Sequence, residues 1–131
     1  MRAPTAHSIH ERRRAETFRG LLLDSGVDAR HQLGELMYES HASYGRCGLG
    51  STGTDRLVAL GRAQGPDAGL YGARITGRGS GGTVAVVGRR GASHAIARIV
   101  DAYEQETGYR PHVFAGSSPG VMAFGARSIT L

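Results

Sequence analysis

The sequence predicts an α+β fold in which an antiparallel sheet of about four strands packs against helices. Three observations predict it: helical periodicity in the first half, two neighbouring runs of strand composition near the middle, and a further helical segment followed by extended residues. The chain of 131 residues is expected to form one domain, residues 1–131, with a buried core.

Apolar spacing predicts three helices before the sheet. The first covers residues 10–23 and carries one apolar stripe, formed by Ala15, Phe18 and Leu22. The second covers residues 30–44, and its stripe is Leu33, Met37, Ser40 and Tyr44. Thr54 or Asp55 is expected to cap a short third helix. Residues 1–9 are expected to form a flexible tail.

The sheet is predicted from residues rich in β-branched and small side chains. Leu70 to Thr76 and Thr83 to Val87 form two such runs, joined by the six residues GRGSGG. Ser93 is expected to cap a fourth helix, whose buried stripe is Ile96, Ile99, Val100 and Tyr103. Pro111 to Ala115 and Ala126 to Leu131 complete the predicted set of strands.

Composition excludes several classes of function. All 16 basic residues are arginine, which excludes lysine-based Schiff-base or P-loop chemistry. The run Arg12 to Arg14 is interpreted as a solvated helix face, and nucleic-acid binding is disfavoured because few aromatic residues accompany it. The lone Cys47 favours a reducing cytoplasm, no apolar run is long enough for a membrane span, and the six histidines lack metal-ligand spacing.

The glycine-rich segment GRGSGGTV at residues 77–84 matches the string G-x-G-x-x-G-x-V. A dinucleotide-binding fold would need a helix to begin there, whereas a β-branched strand follows. A protein kinase would need further motifs that the sequence lacks. Two interpretations stay open: a backbone that approaches an anionic ligand closely, or a hairpin whose glycines only supply positive φ.

Several segments resemble GHMP kinases, the superfamily of galactokinase, homoserine kinase and mevalonate kinase. LYGARITGRGSGGTVAVV at 70–87 resembles their C-terminal glycine-rich motif, and LGELMYESH at 33–41 and TDRLVAL at 54–60 resemble galactokinase segments. CGLGSTGTDRLV at 47–58 and FAGSSPGVMAFG at 114–125 resemble the L-arabinokinase-like branch close to galactokinase. The chain is therefore identified as similar to a GHMP kinase C-terminal domain, which implies a ferredoxin-like fold.

The resemblance implies the C-terminal half of an ATP-dependent sugar kinase that phosphorylates a monosaccharide once an N-terminal kinase domain completes it. Residues 1–32 do not resemble that domain, so we expect it to be missing or separately encoded, and no catalytic residue is assigned to this chain. ATP and magnesium are implied as cofactors, and neither is expected to bind tightly to this chain alone. The alternative is a non-catalytic binding or assembly domain derived from such a kinase, with self-association as a way to cover an exposed face.

The resemblance also implies site residues. The loop expected near the nucleotide phosphates comprises Thr76, Gly77, Arg78, Gly79, Ser80, Gly81 and Gly82. Arg78 stands where the family usually has glycine, so it would either contact phosphate or block the approach of the backbone. Ser40 and His41 are candidates for lining the sugar cleft, although Ser40 also lies on the apolar stripe of its helix.

Overall fold

A computed structural model describes residues 3–77 and 82–116. Three helices come first: α1 (Ala3–Leu21), α2 (Val27–Arg46) and α3 (Thr52–Gln64). A short 3₁₀ turn, Pro66–Ala68, leads into β1 (Leu70–Ile75), which pairs antiparallel with β2 (Val84–Gly88). Helix α4 (Ser93–Thr107) follows, and residues 109–115 have no regular secondary structure.

Helix α2 lies directly against the backbone of β1. A Cβ atom on Gly34 would sit 1.8 Å from the carbonyl oxygen of Tyr71, and one on Gly72 would sit 2.5 Å from the Cα of Gly34. Two glycines therefore face each other across the contact, and no side chain separates the helix from the strand. The strand register also shifts between Leu70 and Gly72, so the pairing is irregular where the helix approaches most closely.

The core forms on both sides of this contact. One buried cluster joins the start of β1 to α4 and consists of Leu70, Ala92, Ala95 and Ile99. A second joins α2 and α3 to the middle of β1 and consists of Tyr38, Val58 and Ala73, with Val84 of β2 packed against it. The fold is thus a set of helices on a two-stranded hairpin, with β1 as the buried strand and β2 as the more exposed one.

The prediction of about four strands is wrong, and with it the expected ferredoxin-like sheet: among the described residues the sheet has two strands. Residues 111–115 form no strand, and all of them except Phe114 line a groove along α4 with Ile96 and Val100 instead of pairing with the hairpin. Pro111 has no N–H to donate to a ladder, and Phe114 is 84% exposed, which shows that composition alone does not recruit a strand. The other predicted strand, residues 126–131, lies outside the described residues.

The helices match the sequence in order and differ in detail. Helix α1 begins at Ala3, within the segment expected to be a flexible tail, and it ends before Leu22, which is 61% exposed. The predicted helix caps are wrong. Ser51 caps α3 in a reciprocal capping box with Thr54, and Ser93 is the first residue of α4, which has no side-chain cap. Three residues of the predicted stripe of α2, Leu33, Met37 and Ser40, are buried, and the fourth, Tyr44, is half-buried.

We predict that Gly34→Ala destabilises the protein by about 3 kcal/mol, because the new methyl group would overlap backbone atoms of β1 that cannot move aside easily. Chemical denaturation measures the change in the free energy of unfolding. Gly45→Ala is the matched control in the same helix: a Cβ there meets nothing within 4 Å, so it is expected to be neutral or stabilising. Equal stabilities of the two variants would contradict the close packing of α2 on β1.

Candidate functional site

The end of β1 is held by side chains at the point where it enters the glycine-rich segment. Thr76 donates its N–H to the carbonyl oxygen of Thr83 at 3.0 Å, which closes the hairpin pairing. Because successive residues of a strand direct their amides to opposite edges, the backbone groups of Ile75 face away from β2. They find side-chain partners instead: the N–H of Ile75 donates to His41 Nδ1 at 3.2 Å, and its carbonyl accepts from Arg74 Nε at 2.9 Å. The Ile75 side chain is fully buried.

His41 connects three elements of the fold. It lies on α2, accepts from Ile75 on β1 through Nδ1, and places Nε2 3.1 Å from Asp55 Oδ1 on α3. Since Nδ1 accepts a hydrogen bond, the neutral ring carries its proton on Nε2 and donates it to the Asp55 carboxylate. Both ring nitrogens thus have protein partners, and the imidazole acts as a bridge at the strand end.

Glu11 of α1 organises the other side of the strand end. Its Oε1 accepts a hydrogen bond from the Ser40 hydroxyl at 2.5 Å and one from Arg74 at 2.8 Å, while Oε2 accepts from Arg14 Nε at 3.1 Å. Arg74 also lies over the Tyr44 ring, 5.2 Å from its centroid. One carboxylate therefore neutralises two arginines, and it orients the guanidinium that holds the Ile75 carbonyl.

The surroundings of Glu11 change its acidity. Burial by itself raises the pKa of this carboxyl group, but the hydrogen bond from Ser40 and the positive charges of Arg74 and Arg14 together outweigh burial and lower the pKa below its ordinary value of 4.5. The folded protein thus favours the ionised carboxylate more strongly than the unfolded chain does.

Sequence reasoning missed this cluster because it searched α1 for an apolar stripe. Besides Ala6, the half-buried side chains of α1 recur at helical spacing and are polar in the first half of the helix: His7, Glu11, Arg14, Phe18 and Leu21. Arg14 was interpreted as part of a solvated arginine run, yet its side chain is only 13% exposed. The spacing of seven residues between His7 and Arg14, with Glu11 between them, was the available signal.

The glycine-rich segment is described at its two ends. Gly77 has φ +73° and Gly82 has φ +66°, a left-handed conformation that favours glycine, and both are exposed. A Cβ on either residue would meet no atom within 4 Å, so the space beside both backbones is open. Arg78, Gly79, Ser80 and Gly81 lie outside the described residues, and the assignment of this loop to a nucleotide stays a prediction.

Ser40 and His41 were proposed to line a sugar cleft. Ser40 is 2% exposed and donates to Glu11, and His41 has both ring nitrogens engaged as described above. Their contacts correspond to positioning of the strand end, and contact with a sugar stays a prediction.

The described residues show neither a metal site nor a membrane span. In residues 3–77 and 82–116 no group of three or more His, Cys, Asp or Glu side chains is placed to hold a metal ion. None of the helices in this part of the chain has the length and apolar character required to cross a membrane.

No protein-family model matches the chain. A curated protein does: L-arabinokinase of Arabidopsis thaliana is 47% identical over 134 residues, which cover 95% of this chain and 13% of the plant protein. The chain is similar to one segment of a sugar kinase. It spans about an eighth of that relative's length, so the relationship covers one portion of a much larger protein.

We predict that Glu11→Gln lowers the free energy of unfolding by about 2 kcal/mol at neutral pH, because two partly buried arginines lose their counter-charge. Glu16→Gln is the matched control on the same helix, since its pair with Arg12 is exposed, and about 0.5 kcal/mol or less is expected. Denaturation of both variants beside the unchanged protein measures the difference. A loss as small as that of the control would show that Glu11 does not support the fold.

The contribution of Glu11 is expected to depend on pH in a defined direction. Because its pKa is lower in the folded protein, the stabilisation is complete above the ordinary value of 4.5 and declines as the pH falls from there towards the folded pKa. The free energy of unfolding should therefore fall less at acid pH in Glu11→Gln than in the unchanged protein. Parallel pH profiles of the two proteins below pH 4.5 would contradict the lowered pKa.

We predict that His41→Ala exposes the amide of Ile75 to exchange. That N–H loses its acceptor and should exchange about tenfold faster, while the Thr76 amide, bonded to Thr83, keeps its protection. Hydrogen exchange followed by NMR reads both amides in one experiment. If both rates rise together, the loss is a general loosening of the hairpin, and the specific bridge is refuted.

Proposed function

We propose that this chain acts as part of an ATP-dependent sugar kinase of the GHMP type, as the domain that places its glycine-rich hairpin beside the nucleotide site of a partner kinase domain. The 47% identity to an L-arabinokinase segment over nearly the whole chain carries this proposal. The open, exposed backbone at Gly77 and Gly82 supports it, because peptide groups without side chains can come close to phosphate oxygens.

The residues of this chain would act by position. Backbone N–H groups of residues 77–82 would face the phosphate groups, and the hydrogen bonds that His41 and Arg74 form with the backbone of Ile75 would keep the strand end fixed beneath them. ATP would supply the phosphoryl group, and magnesium would neutralise the charge of its phosphates. The sugar-binding residues, the catalytic base and the metal ligands would lie on the partner domain.

A chimeric enzyme tests the proposal. Replacing the matching segment of the Arabidopsis L-arabinokinase with this chain should leave phosphorylation of L-arabinose by ATP within about tenfold of the parent enzyme. The control is the parent enzyme with the segment deleted, which should have no activity above background. A folded but inactive chimera would refute the kinase role and leave the non-catalytic binding or assembly domain as the function.

Within the chimera, we predict that Gly77→Val lowers kcat/KM by about tenfold, because a β-branched residue at φ +73° costs about 1–2 kcal/mol of backbone strain and displaces the loop. Gly20→Ala in α1 is the control, since a Cβ there has open space around it. Steady-state kinetics with varied ATP measures the effect. A loss shared by both variants would indicate reduced stability, and no loss in Gly77→Val would remove the loop from the active site.

A further inference from the structure

A second concave site lies at the end of the hairpin opposite the glycine-rich segment. It is a cavity of about 320 Å³ between the start of α2, the start of β1 and the residues that follow β2. Its principal lining residues are Arg30, Leu33, Tyr71, Val87, Arg89 and Arg90. Gly88 at this end pairs with Leu70, whereas Val84 pairs with Ile75 beside the glycines, so the two ends are about 17 Å apart along the strand.

The charge of this cavity is uncompensated within the described residues. Arg30 uses one nitrogen to donate to the backbone carbonyl of Ser25, and no carboxylate lies within ion-pair distance of Arg30, Arg89 or Arg90 among residues 3–77 and 82–116. Other arginines of this part of the chain, such as Arg56 and Arg62, pair with glutamates. Three arginines without a counter-charge around one cavity create a positive potential that favours an anion.

The backbone holds one of these arginines in place. The Arg89 N–H donates to the carbonyl oxygen of Gly69 at 2.8 Å, and a Cβ on Gly69 would lie 2.5 Å from Arg89 Nε. The side chain of Arg89 thus lies across Gly69, in the space that a side chain at position 69 would occupy. Gly88 approaches the same carbonyl closely, since its Cβ would lie 2.6 Å away. The arginine is therefore preorganised before any ligand arrives.

We propose that this cavity binds a small phosphate monoester. Guanidinium groups recognise phosphate oxygens with paired hydrogen bonds, and Leu33, Tyr71 and Val87 offer an apolar and aromatic wall for the organic part of the ligand. A volume of about 320 Å³ is in the range of pockets that hold small organic ligands. The site does not share residues with the glycine-rich segment, so the proposal stands or falls independently of the kinase function.

The test uses the ¹⁵N-labelled chain, checked for folding by circular dichroism and titrated with glucose 1-phosphate, inorganic phosphate and glucose in separate NMR experiments. We expect glucose 1-phosphate to cause saturable shifts of the amides of Tyr71 and residues 87–90, inorganic phosphate to do so more weakly, and glucose to cause none. Arg90→Gln should weaken the binding of glucose 1-phosphate by about tenfold, as expected when a charged hydrogen bond is lost.

Arg13→Gln on α1 is the matched control, because Arg13 is exposed, does not line the cavity and carries the same charge. The affinity of Arg13→Gln for glucose 1-phosphate should stay within about twofold of that of the unchanged protein. Equal weakening by the two variants would show attraction by net charge only and overturn the site. So would shifts confined to Gly77 and Gly82, shifts with glucose alone, or no saturation up to about 10 mM glucose 1-phosphate.

Discussion

The contact between Gly34 and Gly72 sets the distance between α2 and β1, and the rest of the structure depends on that distance. With a methyl group at either position, helix and strand would have to separate, because the atoms in the way belong to the backbone. Ser40 and His41 lie one to two turns further along α2, so they reach the end of β1 only while the helix stays this close. A contact without side chains thus brings the polar side chains of the strand end together.

The strand end shows how an unpaired edge can be satisfied without another strand. Ile75 directs both backbone groups away from β2, and burying them without partners would be costly. A ring nitrogen and a guanidinium fill these positions, and both are held by carboxylates from other helices, Asp55 and Glu11. Three helices, α1, α2 and α3, consequently hold the hairpin at the residue that precedes its glycine-rich loop.

Local patterns predicted the helices and the hairpin because they depend on neighbours in the sequence. The stripe of α2, the stripe of α4 and the two runs around the glycines follow helical and strand periodicities that a short window reveals. The polar stripe of α1 recurs at helical spacing, but the partners of Glu11 lie 29 and 63 positions away, so no local pattern predicts the cluster they form. The strand prediction for residues 111–115 was wrong for a related reason. A segment of strand composition forms a strand only beside an available sheet edge, and this segment lies along α4 instead.

Two pairs of glycines in this protein are required for different physical reasons. Gly34 and Gly72 are limited by size, since any Cβ collides with backbone. A Cβ on Gly77 or Gly82 would meet no atom within 4 Å, so inside this fold these two glycines are limited by their left-handed backbone and not by size. A mirror-image alanine would suit the second pair, and asparagine, which tolerates the left-handed region better than other side chains, is the natural residue that evolution can substitute there. The helix contact accepts glycine only, so related chains should keep Gly34 and Gly72 unchanged whether or not their turn serves a nucleotide.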